Sequence, residues 1–248
     1  MASATRHLVM VHAFPAGARI FRDVALPPGW RLLTPPLPGF DGTPLPPADS
    51  TALDDWIDAV LTVLDGAGVD RFVIGGVSMG GYVACGLWRR VPARCQGLVL
   101  VDTRAGADSE AARAGRDRMV EMVHREGVAA VANEMVPKLL GDSTRREHPD
   151  IDGSLRGWIG QQTREAIASA IVHIRDRPDA TDTLRTVTVP TLIVVGDEDV
   201  ITPPPEAEIL HALVPNSRLV RLPRAGHLPP LEVPAEFNGV LAEFLATV

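Results

Sequence analysis

The stretch Gly76-Val77-Ser78-Met79-Gly80-Gly81 sets one serine between glycines two places to either side. It follows the β-branched run Arg71 to Gly75 and opens an apolar stretch through Val83, Ala84 and Leu87. That order reads as strand, sharp turn and helix, with the Ser78 hydroxyl lifted clear of the strand and the positive end of the helix dipole beneath it. An alcohol is a weak nucleophile at neutral pH, so a base must take its proton and a third group must hold that base in the right tautomer. His227, in Arg224-Ala225-Gly226-His227-Leu228-Pro229, lies just past the last predicted strand and is the candidate base. His124, His148 and His173 fall in a central helical region, and His7 and His211 at polar boundaries, so these read as surface or structural residues.

For the orienting acid the chain offers Gly196-Asp197-Glu198-Asp199 after the run Thr191 to Val195. Asp199 is preferred because it sits deeper in the loop, while Asp197 and Glu198 are read as capping or solvating the turn. Asp102, at the end of the run Gly97 to Val101, stays open as the alternative acid. A tetrahedral intermediate needs amide donors aimed at its oxyanion. Met79, next to the nucleophile, supplies one, and Phe14, in the loop His12-Ala13-Phe14-Pro15, is placed to supply the other. The chemistry so assembled is acyl transfer from an ester or lactone to water through an acyl-serine.

These residues need a scaffold that presents several loops at one edge. Short apolar runs at Leu8 to His12, Arg31 to Thr34, Arg71 to Gly75, Gly97 to Val101, Thr191 to Val195 and Arg218 to Leu222 read as buried parallel strands. Helical patterns alternate with them. One is Thr51 to Leu64, capped by Ser50 or Thr51, and another runs from about Val233 to Leu245. The expected fold is therefore α/β, a doubly wound, mostly parallel sheet of about six strands.

From about Arg104 to Arg185 no strand is convincing. Helical stretches around Ser109 to Arg125, Val128 to Leu140 and Leu155 to Arg175 suggest an inserted helical cap. The division expected is a core of residues 1–103 and 186–248 with a cap at 104–185. Because the triad is read on strands outside the cap, the cap is expected to set selectivity more than the reactivity of Ser78. Its apolar stripe, with Met122, Met135 and Trp158, and His12 from the core are the candidate substrate-pocket residues.

Composition narrows the class further. The 248 residues carry a net charge of −7, and the basic residues, all arginine except Lys138, are scattered among more numerous acids, which argues against nucleic acid as a partner. No stretch approaches the roughly 18 apolar residues of a membrane span, and Met1 to His7 has no signal-peptide core, so a soluble, cytoplasmic protein is expected. Cys85 and Cys95 read as buried reduced thiols, and no metal-ligand spacing or cofactor motif is recognised. Oligomeric state is not legible.

Taken in order, His12-Ala13-Phe14-Pro15, Gly76 to Gly81, Gly196 to Asp199 and Gly226-His227 resemble the α/β-hydrolase superfamily over nearly the whole chain. Within it the resemblance is to capped carboxylesterases, 3-oxoadipate enol-lactonase-like enzymes and cofactor-free haloperoxidases or perhydrolases, whose elbow often reads Ser-Met-Gly-Gly. The resemblance implies ester or lactone hydrolysis, with peracid formation as an alternative, and a non-catalytic ligand-binding scaffold as the alternative of a different class. Two departures stand out. The family's His-Gly is His12-Ala13 here, and the N-terminal antiparallel strands typical of the family are not seen before Leu8.

Overall fold

The computed structural model describes residues 5–47 and 53–248. Six strands form one sheet: β1 (Arg6–Val11), β2 (Trp30–Leu33), β3 (Phe72–Val77), β4 (Cys95–Val101), β5 (Thr191–Gly196) and β6 (Ser217–Leu222). Their spatial order is β2-β1-β3-β4-β5-β6, and every neighbouring pair is parallel. Each expected strand is present to within two residues at either end. Strand β1 stands one place in from the edge strand β2.

β3, β5 and most of β4 are wholly buried because helices cover both faces, which is why they read as unbroken apolar runs rather than alternating ones. Helix α1 (Leu53–Gly66) buries Leu53, Trp56, Ile57, Val60 and Leu64 along one stripe and packs against α2 (Met79–Arg90). The expected caps Ser50 and Thr51 lie outside the described residues. α2 is buried from Met79 to Trp88. After β5 and β6 come α9 (Pro204–Leu213), the short α10 (Pro229–Glu232) and α11 (Pro234–Leu245). The chain steps from β1 outward to β2 and then returns to the other side of β1 for β3. The loops that leave the carboxyl ends of β1 and β3 therefore diverge and open a crevice between them.

Between β4 and β5 the chain forms helices alone: α3 (Glu110–Glu126), α4 (Val128–Leu139), α5 (Asp142–Glu147), α6 (Pro149–Ile159), α7 (Arg164–Asp176) and α8 (Thr181–Arg185). The stretch read as one helix from Leu155 to Arg175 is two. The first stops at Gly160, and a new helix starts at Thr163, whose hydroxyl accepts the Ala166 amide at 3.1 Å. α3 lies along α7 and α4 along α6, whereas α8 packs on α2 and α9, in the core layer. Where the insertion leaves and rejoins the sheet its two stalks are tied together. The Ala180 amide donates to Ala105 O at 2.9 Å, and the buried Arg177 pairs with Asp108 at 2.6 Å while stacking over Tyr82. Burial would raise the Asp108 pKa, but Arg177 and Arg116 outweigh it and hold the carboxyl below its ordinary value.

Candidate active site

Ser78 sits at φ 53°, ψ −112°, between the last residue of β3 and the first of α2. A non-glycine residue with positive φ costs on the order of 1–3 kcal/mol and persists only when its surroundings over-determine it. Here they do. The Ser78 amide donates to Val101 O at 2.9 Å, and Ser78 O accepts from the Gly81 amide at 2.9 Å and from Thr103 Oγ1 at 2.8 Å. The flanking glycines are steric requirements. A Cβ on Gly76 would collide with the backbone of Gly80, and one on Gly80 would collide with Val11 O in β1. The serine is nearly enclosed, at 9% exposure.

β4 and β5 end beside β3 at the same edge. The loop after β5 carries Asp199, and the loop after β6 carries His227. Both are buried, and His227 Nδ1 lies 2.8 Å from Asp199 Oδ2. With Nδ1 as the proton-bearing nitrogen toward the carboxylate, Nε2 is left as the acceptor. Asp199 is heavily hydrogen-bonded. Oδ1 accepts the amides of Ile201 (2.7 Å) and Thr202 (3.2 Å), and Oδ2 accepts the Thr202 hydroxyl at 2.7 Å. Burial alone would raise the Asp199 pKa, but the His227 ring, Thr202 and Asp102 outweigh it, and the carboxyl is held well below the usual carboxylate range.

The loop after β1 fills the other side of the crevice. Phe14 is buried, and among the described residues neither its amide nor that of Met79 is engaged in a hydrogen bond. His12 is wholly buried behind this loop. Its Nε2 accepts the Leu37 amide at 3.4 Å, its Nδ1 lies 3.2 Å from Ala13 O, and its ring packs against Phe40. Burial lowers the His12 pKa despite opposing pulls from Ala13 O and Asp41. His12 is thus part of the support beneath the loop. Of the other candidate pocket residues, Met135 is buried on α4 and Met122 half-buried on α3. Trp158 is half-buried on α6 under the Arg22 guanidinium, 5.0 Å from its ring centre.

Of the charged neighbours of the His227 and Asp199 pair, Asp102 and Glu198 are already weighed in the sequence, whereas Glu232 has no distinct signal there. Asp102 lies beside the pair: one donor atom each from Asp102, Asp199 and His227 all fall within 4.8 Å of one another. Glu198, read as a solvated turn residue, instead accepts the Ser143 amide (2.7 Å) and hydroxyl (2.6 Å), both from α5. Asp197 pairs with Arg221. Glu232, buried on α10, accepts the amides of Gly226 (3.0 Å) and Leu228 (2.8 Å), which bracket His227, and also the Gly141 amide (2.7 Å) and the Thr144 hydroxyl (2.8 Å). The His227 amide itself donates to Leu139 O at 3.0 Å. Residues 139–144 of the insertion are therefore built onto the histidine loop and the Glu232 that supports it. Burial pushes both cysteine thiols up to about 12, so they are protonated and inert at neutral pH.

Comparison with known proteins agrees with this architecture. A profile of the alpha/beta hydrolase fold matches residues 6–234. A pimeloyl-[acyl-carrier protein] methyl ester esterase of Neisseria meningitidis serogroup B is 30% identical, with 99% of this chain and 95% of that protein covered. Among solved structures, a thermophilic esterase from Thermogutta terrifontis superposes with a TM-score of 0.94 at 35% identity, covering 99% of this chain and 91% of that one. The enol-lactonase from Burkholderia xenovorans LB400 shares the fold at TM-score 0.90 and 21% identity, over 98% and 92% of the two chains. With its all-parallel sheet, its serine elbow after β3 and these likenesses, the chain belongs to the α/β-hydrolase fold family.

Proposed function

We propose that this chain is a serine hydrolase that cleaves a carboxylic ester through an acyl-enzyme on Ser78. His227 acts as general base and then general acid, Asp199 holds its tautomer, and the Phe14 and Met79 amides receive the oxyanion. The observation that carries the reading is the buried 2.8 Å pair of His227 Nδ1 and Asp199 Oδ2, at the sheet edge where the strained Ser78 turn is held. The Phe14 and Met79 amides, which have no partner among the described residues, support the oxyanion role. The relatives named as methyl ester esterases favour a small alcohol portion. Helices α3 to α7 are proposed as the cap over this edge, supported by the hydrogen bonds from residues 139–144 to the histidine loop.

The test is incubation with a fluorophosphonate, followed by peptide mass spectrometry, beside a series of methyl and p-nitrophenyl esters of increasing acyl length. Label on the Ser78 peptide together with ester turnover is expected. Turnover with no label on that peptide would overturn the reading.

Two further results follow. His227 can accept the Ser78 proton only when its ring is neutral, and Asp199, held far below the usual range, stays ionised throughout. Acid that protonates the ring should therefore lower kcat/KM, followed with a small ester as the pH is lowered. A flat profile from a protein still folded by circular dichroism would remove His227 from the role of base.

The second concerns the ties between α5 and the two catalytic loops. In the double variant Ser143→Ala, Thr144→Val, Glu198 in the Asp199 loop and Glu232 beneath the histidine loop each lose a hydroxyl donor, although neither substituted residue belongs to the triad. Phosphonate labelling of Ser78 should slow by between about threefold and 10²-fold, the scale of a small displacement transmitted to a reacting group. An unchanged labelling rate with altered ester selectivity would return the insertion to a role in selectivity alone.

A further inference from the structure

Asp102 ends β4 and takes no part in the mechanism above, yet it is built into the site. Its side chain is 1% exposed, its backbone adopts φ 42°, and its amide donates to Val194 O at 2.9 Å. Oδ1 accepts the Gly196 amide at 2.9 Å, tying the end of β4 to the start of the Asp199 loop. Oδ2 is buried and has no donor among the described residues. What Asp102 faces is a second carboxylate, Asp199, with an oxygen of each within 4.8 Å of the other.

Two buried carboxylates facing each other with no cation between them cannot both be ionised, because desolvation and mutual repulsion act in the same direction. The charged and titratable groups facing Asp102 are Asp199 from the loop after β5, His227 from the loop after β6, and Glu232 from α10. The nearest arginine in sequence, Arg104, is turned away to Ile201 O and Glu206. A proton must sit on one of the two acids. Asp199 already accepts four hydrogen bonds, two of them involving Thr202 Oγ1 and His227 Nδ1 at its Oδ2, and these favour its ionised form. Among the described residues Asp102 accepts one.

Resting on the triad reading, we propose that Asp102 is a protonated positioning residue whose carboxyl donates from Oδ2 to the Asp199 carboxylate and accepts from Gly196 through Oδ1. Its effect is to fix the Asp199 carboxylate in the plane that meets His227 Nδ1, and to link that plane to the end of β5. Burial first, then the negative charge of Asp199, push the Asp102 carboxyl well above its usual range, in keeping with a proton retained at neutral pH.

Asparagine reproduces this pattern, since its amide group donates where the acid would and its carbonyl accepts from Gly196. Asp102→Ala should lower kcat by tenfold or more with little change in KM, the scale of an outer-shell partner, and Asp102→Asn should recover most of that loss. A second measurement does not need the alanine variant to fold. An acid whose pKa is raised in the folded state contributes most stability below its unfolded pKa and loses it as pH rises. Asp102→Asn has no such loss, so its thermal midpoint should climb relative to wild type between about pH 4 and about pH 8. Equal kcat for wild type and Asp102→Ala, equal impairment of the alanine and asparagine variants, or a midpoint difference constant with pH would each overturn the proposal. Failure of the triad reading is separately visible, because Ser78→Ala would then remain active.

Discussion

Ser78→Ala should lose ester hydrolysis by at least about a thousandfold while its thermal midpoint stays close to that of wild type. The hydroxyl is the only atom removed, and the strained turn does not depend on it: Ser78 is held through its amide to Val101 and its carbonyl to Gly81 and Thr103, none of which involves Oγ. Alanine accepts the same backbone angles at much the same cost, so the fold is indifferent while the nucleophile is gone. Steady-state turnover of a p-nitrophenyl ester, run beside a thermal melt, checks both halves. Activity retained above about a thousandth of wild type would point to a different nucleophile.

Asp199→Asn should be nearly as damaging, lowering kcat by about 10³- to 10⁴-fold at a pH where His227 is neutral. The amide keeps the shape, and its oxygen can still accept the backbone amides of Ile201 and Thr202. However, an amide nitrogen presented to His227 Nδ1 donates rather than accepts, so the proton moves to Nε2 and the nitrogen meant to receive the serine proton no longer can. Stability should also change its pH dependence. Asp199 has a depressed folded-state pKa, so its contribution is present above its unfolded pKa and disappears as the solution is acidified through the folded value. The asparagine variant should lack that acid-side loss. If Asp199→Asn keeps wild-type turnover while Asp102→Asn does not, the orienting acid lies at the end of β4.

Much of this was legible in the chain itself. The strands showed because parallel strands covered on both faces read as unbroken apolar runs, and the elbow because Gly76 and Gly80 are forced by close backbone approach. His227 and Asp199 were picked out by their places after the last two strands. What stayed hidden was of two kinds. The break at Gly160 to Thr163 was passed over although Gly160 and the run of polar residues to Glu165 interrupt the apolar pattern and Thr163 is a good capping residue. The roles of Glu198 and Glu232 depend on partners 55 and 91 positions away, such as Ser143 and Gly141, which no local pattern reveals.

The knot of hydrogen bonds joining residues 139–144 to Glu198, Glu232 and the His227 amide bears on how such a protein can be remodelled. The backbones of Gly141 and Gly226 are too close for either to carry a side chain without something shifting. Segment 104–185 is thus not an interchangeable module with two clean joints. A chimaera that imports this segment from a relative inherits a mating surface that must match Glu198, Gly226 and Glu232 in the recipient, and grafts that carry those three positions along should fold into active enzymes more often than grafts cut only at the stalks.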